Sequence, residues 1–514
     1  MYSKVYSAGL NGLEARVIQV EADVSNGLPV FQMVGVLASA VREARERVRI
    51  SLQNSGYRLP AKRITVNLSP ADMKKDGSGF DLPIAISLLA AFGMIPTKKL
   101  NRTLIAGELG LDGKVDGIHG TLAMASMGKD EGFDTFVLPR ENAGEAGLVE
   151  GIRIVGVAGL SEAIGYFKGE YEPPPANVPG DLFSGRDAGE DEPDFDEIYG
   201  QERVKRALET AVSGGHNVLM IGAPGTGKTM LARRIPGIMP RLSREEALEL
   251  TKIYSVAGLL GEDISMIDRR PFRAPHHTIT PTALAGGGRN PVPGEVTLAH
   301  HGVLFLDELP EFDAKTLEIL RQPMEEGRIR ISRLGKSYEY PANMIVVGAM
   351  NPCKCGYFPD LTRCRCSCGQ VQKYLSRLSE PLLDRMDICV ETEQPEGFRQ
   401  GKTGEPSARL RRRIMKVREI QRQRYRSEKI SLNSELGGNL LEKYCRLGTG
   451  PRRLFEELAA SAGVSMRGAQ RMLRVARTLA DMRGSERIGE DDLLEASAYK
   501  VVSRQYWGQA GGME

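Results

Sequence analysis

The sequence predicts an α/β protein in which two folded domains are followed by an all-helical segment. Three observations support this prediction. An apolar run at 217–221 leads into a glycine-rich loop and then a helical pattern, as in a parallel-sheet core. A second apolar run, at 303–306, ends in two adjacent acids. A proline-rich stretch at 171–180 separates this core from an earlier region of mixed strands and helices.

The composition is that of an ordinary folded protein. With 514 residues, 41% hydrophobic and 26% charged, the chain is long enough for two or three domains. The formal net charge of +3 gives no overall attraction to nucleic acid, so such contacts must come from local basic patches. The N-terminus lacks the apolar core of a signal peptide, and the longest apolar run, 82–95, is too short to span a bilayer. We therefore expect a cytoplasmic protein with no membrane partner.

The first domain, taken as residues 1–170, alternates strand-like and helical patterns. Residues 15–24 alternate apolar and polar side chains as a half-buried strand does, and residues 64–68 form another such run. Residues 41–52 have helical spacing, with charges on one face. These patterns predict an α+β or α/β domain.

Two segments of this domain, 74–83 and 107–115, resemble the proteolytic domain of Lon-type proteases. The resemblance implies a Lon-like α+β fold. It places Gly79 where the family has its catalytic serine and Met124 where it has the activating lysine. Neither side chain can act as a nucleophile or base, so we expect no peptidase activity.

An alternative peptidase site would pair Ser78 with Lys75 or Lys129, outside the Lon pattern. Serine and lysine are abundant, so such a pair carries little weight by itself. Residues 171–197 follow as a proline-rich and then acidic stretch, which predicts a semi-extended linker between the domains.

The second domain, taken as residues 198–395, contains the match to G-x-x-x-x-G-K-[ST], the phosphate-binding loop of P-loop NTPases. Glycines let backbone N–H groups turn toward an anion, and the following helix adds partial positive charge. Lys228 is predicted to reach the β- and γ-phosphates of ATP, and the Thr229 hydroxyl to bind Mg²⁺. The predicted nucleotide-binding residues of the loop are Gly222, Ala223, Pro224, Gly225, Thr226, Gly227, Lys228 and Thr229.

The apolar run at 303–306 reads as a buried parallel strand that delivers two carboxylates at its carboxyl end. Ligands bind at that edge of such sheets. Asp307 is predicted to help hold Mg²⁺, and Glu308 to orient and polarise the attacking water. The alternative is a strand that ends in surface acids, which the upstream phosphate-binding loop disfavours.

Together these elements resemble the AAA+ ATPases. The segment 198–201 resembles the I-x-G-Q box that lines the adenine pocket, which implies nucleotide contacts for Ile198 and Gly200. A strand at 344–348 leads to Asn351, which looks like the sensor 1 residue near the γ-phosphate and the attacking water.

Two arginines extend the AAA+ resemblance. Arg385 matches the arginine finger, which inserts into the ATP site of a neighbouring subunit and stabilises charge in the transition state. Its presence implies a ring, and a hexamer in this branch of the family. Arg467 looks like the sensor 2 arginine of the lid, which contacts the γ-phosphate in cis.

Two further segments look like elements that line the central channel of related AAA+ helicases. Residues 284–294 form a Gly/Pro-rich insertion that contains Arg289, and residues 328–340 are predicted to form a β-hairpin with Arg333 and Lys336 at its tip. Lysine and arginine suit a sequence-independent grip on DNA, because phosphate contacts carry no base information. A solvated hairpin is the alternative.

Five of the seven cysteines form a cluster: Cys353, Cys355, Cys364, Cys366 and Cys368. In a reducing compartment such a density of thiols favours a Zn²⁺ ion held by four of them. An Fe–S cluster or a reactive-thiol loop are the alternatives.

The remaining chain, 396–514, is predicted to be an all-helical lid. Within it, residues 409–426 carry nine Lys and Arg against one acid, Glu419, with apolar residues at helical spacing. This basic helix either contacts nucleic acid or presents a solvated face.

His276 and His277 are adjacent and invite a metal-site interpretation. Neighbouring residues of a strand point to opposite faces, which argues against joint coordination. A structural role, or one close to the pore, is therefore expected.

Over nearly its whole length the chain resembles the YifB/ComM family of magnesium-chelatase-like AAA+ ATPases. The most specific matches are at 272–277, 294–300, 304–308 and 351–353. Members with known roles are hexameric DNA helicases that drive branch migration during integration of transforming DNA. The resemblance thus implies a hexameric, ATP-hydrolysing ring motor that uses ATP and Mg²⁺ on branched or single-stranded DNA. A metal-chelatase-type or protein-remodelling ATPase is the alternative.

Overall fold

The computed structural model of the chain describes residues 1–174, 193–261, 266–288, 291–333, 336–394, 404–461 and 465–507. Its strands are β1 Tyr2–Asn11, β2 Glu14–Ser25, β3 Val30–Val34, β4 Arg63–Ser69, β5 Thr103–Ile105, β6 Glu108–Leu109, β7 Val115–Asp116, β8 Thr135–Pro139, β9 Arg153–Val157, β10 Val218–Ile221, β11 Phe272–Arg273, β12 Gly286–Gly287, β13 Val292–Pro293, β14 Val303–Leu306, β15 Arg328–Arg333, β16 Lys336–Pro341, β17 Ile345–Met350 and β18 Ile388–Glu391. Its helices are α1 Ser39–Asn54, α2 Asp81–Ala91, α3 Thr121–Asp130, α4 Ala143–Ala146, α5 Leu160–Lys168, α6 Glu202–Gly214, α7 Lys228–Arg233, α8 Ile235–Ile238, α9 Arg244–Val256, α10 Pro281–Ala285, α11 Glu295–Leu298, α12 Ala314–Glu318, α13 Arg321–Glu326, α14 Cys368–Leu375, α15 Glu380–Leu383, α16 Ser407–Arg424, α17 Gly438–Tyr444, α18 Thr449–Ser461, α19 Met466–Met482 and α20 Glu490–Trp507.

The chain divides into two compact units, and the division is not linear along the sequence. The first unit takes the chain up to Ser184 together with Arg244–Asp268, and the second takes the rest. Helix α9 belongs to the first unit, where the Ser255 hydroxyl accepts a hydrogen bond from Gly120 N–H at 2.9 Å. The sequence-based boundaries place this segment in the second domain, whereas its contacts place it in the first unit.

The first unit is built on a seven-stranded mixed sheet in the order β3-β4-β2-β1-β5-β8-β9. Strands β2 and β4 and helix α1 correspond to the patterns at 15–24, 64–68 and 41–52. The long apolar run forms α2, in which every residue is buried, so it is a core helix. None of the described helices combines the length and the apolar composition that a bilayer span requires.

The residues at the Lon-like positions do not form a serine–lysine pair among the described residues. Met124 is buried in a hydrophobic cluster, and the space beside Gly79 is bounded by Ile118. The Ser78 hydroxyl donates to Glu108, and the buried Lys75 amine donates to the carbonyl of Pro70. The alternative pairing of Ser78 with Lys75 is therefore absent from this conformation.

The second unit is built on a parallel sheet in the order β11-β14-β17-β10-β18. Strands β10, β14 and β17 are the three apolar runs identified in the sequence, and their side chains are all buried. Such continuous burial is what a sheet covered on both faces requires. Because the strands are parallel, the segments after β10, β14 and β17 all emerge at one edge.

The described part of the chain from residue 404 onward is helical, as the sequence predicts. Helices α16 and α19 contribute Ile414 and Met472 to the cluster that covers one face of the parallel sheet. The buried Asp481 of α19 accepts hydrogen bonds from Arg424 and Arg477, which ties α16 to α19. The helical segment therefore packs on the sheet as part of the second unit.

Candidate nucleotide-binding site

The phosphate-binding loop, residues 222–229, connects β10 to α7 and depends on its glycines. A Cβ atom at Gly222 would lie 2.0 Å from Thr392 Oγ1, which no larger residue can accept. Gly225 and Gly227 have φ angles of 79° and 86°, in the left-handed region that favours glycine. The sequence thus specifies a loop that turns its backbone N–H groups toward a ligand.

Lys228 lies inside this loop with its amine held by neutral oxygens. Nζ donates to the carbonyls of Gly222 and Ala223 at 2.7 and 2.9 Å, and to Asn351 Oδ1 at 3.1 Å. The residue is only 9% exposed. Burial lowers the pKa of Lys228, and Asp307 opposes this effect. The phosphates of a nucleotide would supply the negative charge that this desolvated cation lacks.

Asp307 and Thr229 meet at the same edge of the sheet. Thr229 Oγ1 donates to Asp307 Oδ2 at 2.7 Å, although the two residues are far apart in sequence. A hydroxyl and a carboxylate beside a phosphate-binding lysine are the hard oxygen ligands that Mg²⁺ prefers. The structure therefore brings together Lys228, Thr229, Asp307 and Asn351 as the sequence predicts.

Glu308 follows Asp307 and has a left-handed backbone conformation, with a φ of 50°. Such a conformation is uncommon for a residue with a side chain and is often found at functional sites. The side chain is 61% exposed, so water reaches the carboxylate. This geometry leaves Glu308 free to act on a water molecule rather than to support the fold.

His277 is a neighbour of Glu308 that the sequence reasoning missed. Its Nδ1 lies 3.7 Å from Glu308 Oε2. The expectation that His276 and His277 point to opposite faces was wrong, because both follow the end of β11 and their ring centroids are 4.1 Å apart. Strand β11 pairs in parallel with β14, so the segments after these two strands reach the same edge.

The segment 198–201 supports the loop from outside. Ile198 is 1% exposed and belongs to the hydrophobic cluster of the second unit. The Gln201 amide donates to Thr226 O at 3.3 Å and to Glu393 O at 2.5 Å. Gln201 therefore ties the phosphate-binding loop to the end of β18, and adenine contacts by Ile198 and Gly200 stay predictions.

Arg385 lies between α15 and β18, where β18 begins. Nη2 donates to Glu325 Oε1 at 2.5 Å and Nη1 to Pro381 O at 2.5 Å, and the side chain is 5% exposed. The start of β18 is the opposite end of the sheet from the phosphate-binding loop. The arginine is thus buried and paired in this conformation, which the sequence did not indicate.

Arg467 is exposed in the first turn of α19. Ser465, which caps this helix, lies 3.4 Å from Asp384, the residue before Arg385. The described residues include no hydrogen bond from Arg467 to the phosphate-binding loop, and its contact with the γ-phosphate in cis stays a prediction. The start of α19 instead lies beside the Arg385 segment.

One turn further along α19, Arg471 makes the contacts that join this helix to the sheet. It donates to Arg385 O at 2.8 Å and to Asp387 Oδ1 at 3.0 Å. Burial raises the pKa of Asp387, but Arg471 and His216 outweigh it and hold that pKa well below its usual range. This buried pair was missed, because nothing in the sequence distinguishes Arg471 from its neighbours.

Both predicted channel elements form antiparallel hairpins. Strands β12 and β13 pair in the first, and β15 and β16 pair in the second with Arg333 opposite Lys336. The Tyr340 hydroxyl donates to Pro291 O at 2.7 Å, which joins the two hairpins. Arg289 lies outside the described residues.

The arginines near the base of the second hairpin are already paired with acidic side chains, Glu339 and Glu326. Arg328 and Arg330 each lie 2.9 Å from a Glu339 oxygen. The basic helix α16 is similar, since Arg413 pairs with Glu209 and Arg418 donates to Val212 O. These contacts favour a packing role for much of the basic surface of α16.

Four cysteine sulfurs converge after β17. The sulfur atoms of Cys353, Cys355, Cys364 and Cys366 all lie within 4.8 Å of one another, whereas Cys368 is exposed at the start of α14. The four thiols form a donor set that could hold one metal ion. The structure thereby selects four of the five candidates.

Three family models match this chain, and all three describe the same protein, the ChlI subunit of magnesium chelatase. A family model described as magnesium chelatase, subunit ChlI, matches residues 194–399. A second, described as subunit ChlI of Mg-chelatase, matches 20–142, and a third, the ChlI C-terminal model, matches 404–500.

Similar proteins are found along the full length of the chain. YifB of Salmonella typhimurium is 41% identical over 507 residues, and competence protein ComM of Haemophilus influenzae is 40% identical over 505 residues; each match covers 97% of both chains. The magnesium-chelatase 67 kDa subunit of Heliobacterium mobile is 28% identical over 254 residues, which is 43% of this chain and 37% of that protein.

Proposed function

This chain belongs to the YifB/ComM family of magnesium-chelatase-like AAA+ ATPases, and we propose that it is a hexameric ring motor that drives branch migration or strand separation of DNA. Its family makes it an ATPase with ATP and Mg²⁺ as ligands. The DNA substrate, the ring of six and the helicase activity are the parts that we propose.

The observation that carries the DNA substrate is the match to competence protein ComM along 97% of both chains. The two joined hairpins add physical support, since one of them ends in Arg333 opposite Lys336. Arginine and lysine at the end of a hairpin suit phosphate contacts, which are independent of base sequence. Arg289, in the other insertion, is proposed to act in the same way.

The roles of the residues in hydrolysis follow from their positions. Lys228 would exchange its neutral partners for the β- and γ-phosphates. Thr229 and Asp307 would hold Mg²⁺, which when bound neutralises charge on those phosphates. Glu308 would orient the attacking water and accept its proton, and Asn351 would donate to the γ-phosphate.

The position of Arg385 is the reason for proposing a ring. Within one chain, Arg385 lies at the opposite end of the sheet from Lys228, and Arg467 starts a helix beside it. Arg385, placed there, would serve the nucleotide of a neighbouring subunit, whereas Arg467 is proposed to contact the γ-phosphate of its own chain. The site of each chain is then completed by the next chain around the ring.

A metal-chelatase-type motor is the second candidate, because all three matching family models carry a magnesium-chelatase description. The chelatase relative, however, covers 43% of this chain, whereas ComM covers 97%. The full-length match favours the DNA motor. Under this proposal the first unit has no peptidase activity.

The test is ATP hydrolysis by the purified protein with and without a synthetic four-way DNA junction, with junction resolution followed in the same reaction. We expect the junction to stimulate hydrolysis and to be resolved, and Glu308→Gln to lower both by about 10²-fold. Arg333→Ala combined with Lys336→Ala should lower the stimulation by DNA. Hydrolysis that is indifferent to every form of DNA would overturn the proposal and favour a chelatase-type or protein-remodelling role.

A further inference from the structure

We propose that Cys353, Cys355, Cys364 and Cys366 hold one structural Zn²⁺ ion that fixes the segment after β17 against the phosphate-binding loop, and that Cys368 takes no part. This inference does not depend on DNA as the substrate. It concerns metal content and nucleotide binding, which are measured without DNA.

The distances between the thiols fit a single tetrahedral ion. Zn–S bonds are about 2.3 Å long, so sulfurs at the corners of a tetrahedron are about 3.8 Å apart. Cys353 Sγ lies 3.3 Å from Cys355 Sγ and 3.8 Å from Cys364 Sγ. The sulfurs of Cys355 and Cys364 are 3.6 Å apart. These separations exceed the 2.05 Å of a disulfide bond. An Fe–S cluster distributes its thiols over several irons and would hold the sulfurs farther apart.

Backbone donors point at the sulfurs, as bound thiolates require. Phe358 N–H donates to Cys353 Sγ at 3.4 Å. The backbone N–H groups of Arg365 and Tyr357 also donate to the sulfur of Cys355. Binding of the metal would remove the protons of the thiols, since the thiolate is the ligand.

The cysteine segment is held by turns and side-chain contacts rather than by regular secondary structure. Residues 351–367 are all described and contain no helix or strand. Connections longer than about 12–15 residues without secondary structure are uncommon in compact domains. Cys353 is fully buried beneath this segment and joins it to the hydrophobic cluster of the second unit. A metal ion would supply a further cross-link.

The four cysteines lie next to the phosphate-binding loop, so an ion bound there would affect nucleotide binding. Cys353 follows Asn351, the partner of Lys228, by two residues. Gly356 lies against the phosphate-binding loop so closely that a Cβ there would be 2.3 Å from Pro224 Cδ. The cysteine segment therefore covers Pro224, and an ordered segment limits the positions available to the loop.

The first experiment measures metal in the purified full-length chain by mass spectrometry of the acid-released ions. We expect about one zinc per chain. Single serine substitutions of the four proposed ligands should each remove most of that zinc, and Cys368→Ser should retain it. Zinc far below one per chain, bound iron, or equal loss in Cys368→Ser would overturn the proposal.

Because a ligand variant may fold poorly, the second experiment uses the wild-type chain. Zinc is removed with a zinc-selective chelator in excess Mg²⁺, and the affinity for a fluorescent ATP analogue is measured before removal, after removal and after zinc is restored. We expect binding about tenfold weaker without zinc, since small displacements of binding groups have effects of this size or larger. Restored zinc should recover it. Unchanged affinity would refute the link to the phosphate-binding loop.

Discussion

The two ends of the parallel sheet in the second unit contrast in how ready they are for catalysis. At the carboxyl end, Lys228 contacts Asn351, Thr229 contacts Asp307, and Glu308 is open to water. At the start of β18, Arg385 is buried and paired with Glu325. One end has its polar side chains in contact with one another, and the other holds a buried arginine in an ion pair.

If the proposed ring forms, this difference means that nucleotide binding and nucleotide hydrolysis have separate structural requirements in this chain. Binding needs only groups that one chain positions through its own strand ends. Fast hydrolysis, under the proposed ring, also needs an arginine from a neighbour, and that arginine must first leave Glu325. Assembly can thereby control hydrolysis without altering the phosphate-binding loop.

The largest expected effect is that of Arg385→Ala. It should lower kcat for ATP hydrolysis by about 10³-fold, which is the scale of arginine fingers supplied in trans. The KM for ATP should change little, because the described contacts of Arg385 include none with its own phosphate-binding loop. Steady-state kinetics measure both parameters, and thermal melting checks that the variant is folded.

Mixed assemblies sharpen this test. Chains with Arg385→Ala and chains with Lys228→Ala each lack a different half of the site. Together they should regain activity, because an intact arginine would then face an intact loop. A mixture no more active than its separate components would mean that Arg385 does not act across subunits.

A smaller loss, of about 10²-fold in kcat, is expected for Glu308→Gln, since general bases contribute on this scale. The amide keeps the shape of the side chain but cannot accept the proton of water, so ATP binding should persist. Glu311→Gln, on the same loop and paired with Arg377, is the matched control and should retain activity. Loss of ATP binding in Glu308→Gln would place this residue with the binding groups instead.

A weaker effect should appear in the pH dependence of ATP affinity. The pKa of Lys228 is lowered by burial in the free protein, and bound phosphates would raise it. Binding then takes up a proton, so affinity should fall as the pH rises through the lowered pKa. Isothermal titration over the alkaline range measures this, and Lys228→Arg, which does not titrate there, should flatten the profile. A wild-type affinity that does not vary over this range would contradict the assignment.

The smallest expected effect is that of Glu325→Gln, which weakens the partner of Arg385. Because Glu325 is 41% exposed, the loss of stability should not exceed about 1 kcal/mol. If the pair restrains the arginine, the variant should assemble at a lower protein concentration, as measured by analytical ultracentrifugation. Assembly that requires the wild-type concentration or more would contradict that restraint.

The sequence predicted the carboxyl end of the sheet well because its signals are local. A glycine loop after an apolar strand specifies Lys228 and Thr229, and the parallel pairing of strands then brings Asp307 and Asn351 to the same edge. The hairpin of β15 and β16 and the helical segment after residue 404 were predicted for the same reason, whereas 284–294 was predicted as a loop and contains the paired strands β12 and β13.

The rest depends on contacts between distant residues, which local patterns do not encode. The proximity of His277 to Glu308 requires the pairing of β11 with β14, and β11 is only two residues long. The burial of Arg385 requires Glu325, on a helix sixty positions earlier. The sequence likewise did not indicate which four of the five cysteines lie together, because that depends on the three-dimensional path of residues 353–366.

Helix α9 belongs to the first unit although it follows part of the second unit in sequence, and this order has a consequence for translation. A ribosome must translate as far as residue 256 before the nascent chain holds every helix of that unit, so part of the second unit emerges before the first is complete. An N-terminal fragment that stops before residue 244 would leave the Gly120 N–H without its Ser255 acceptor and would lack the whole of α9. The two units are therefore interleaved in the order of translation.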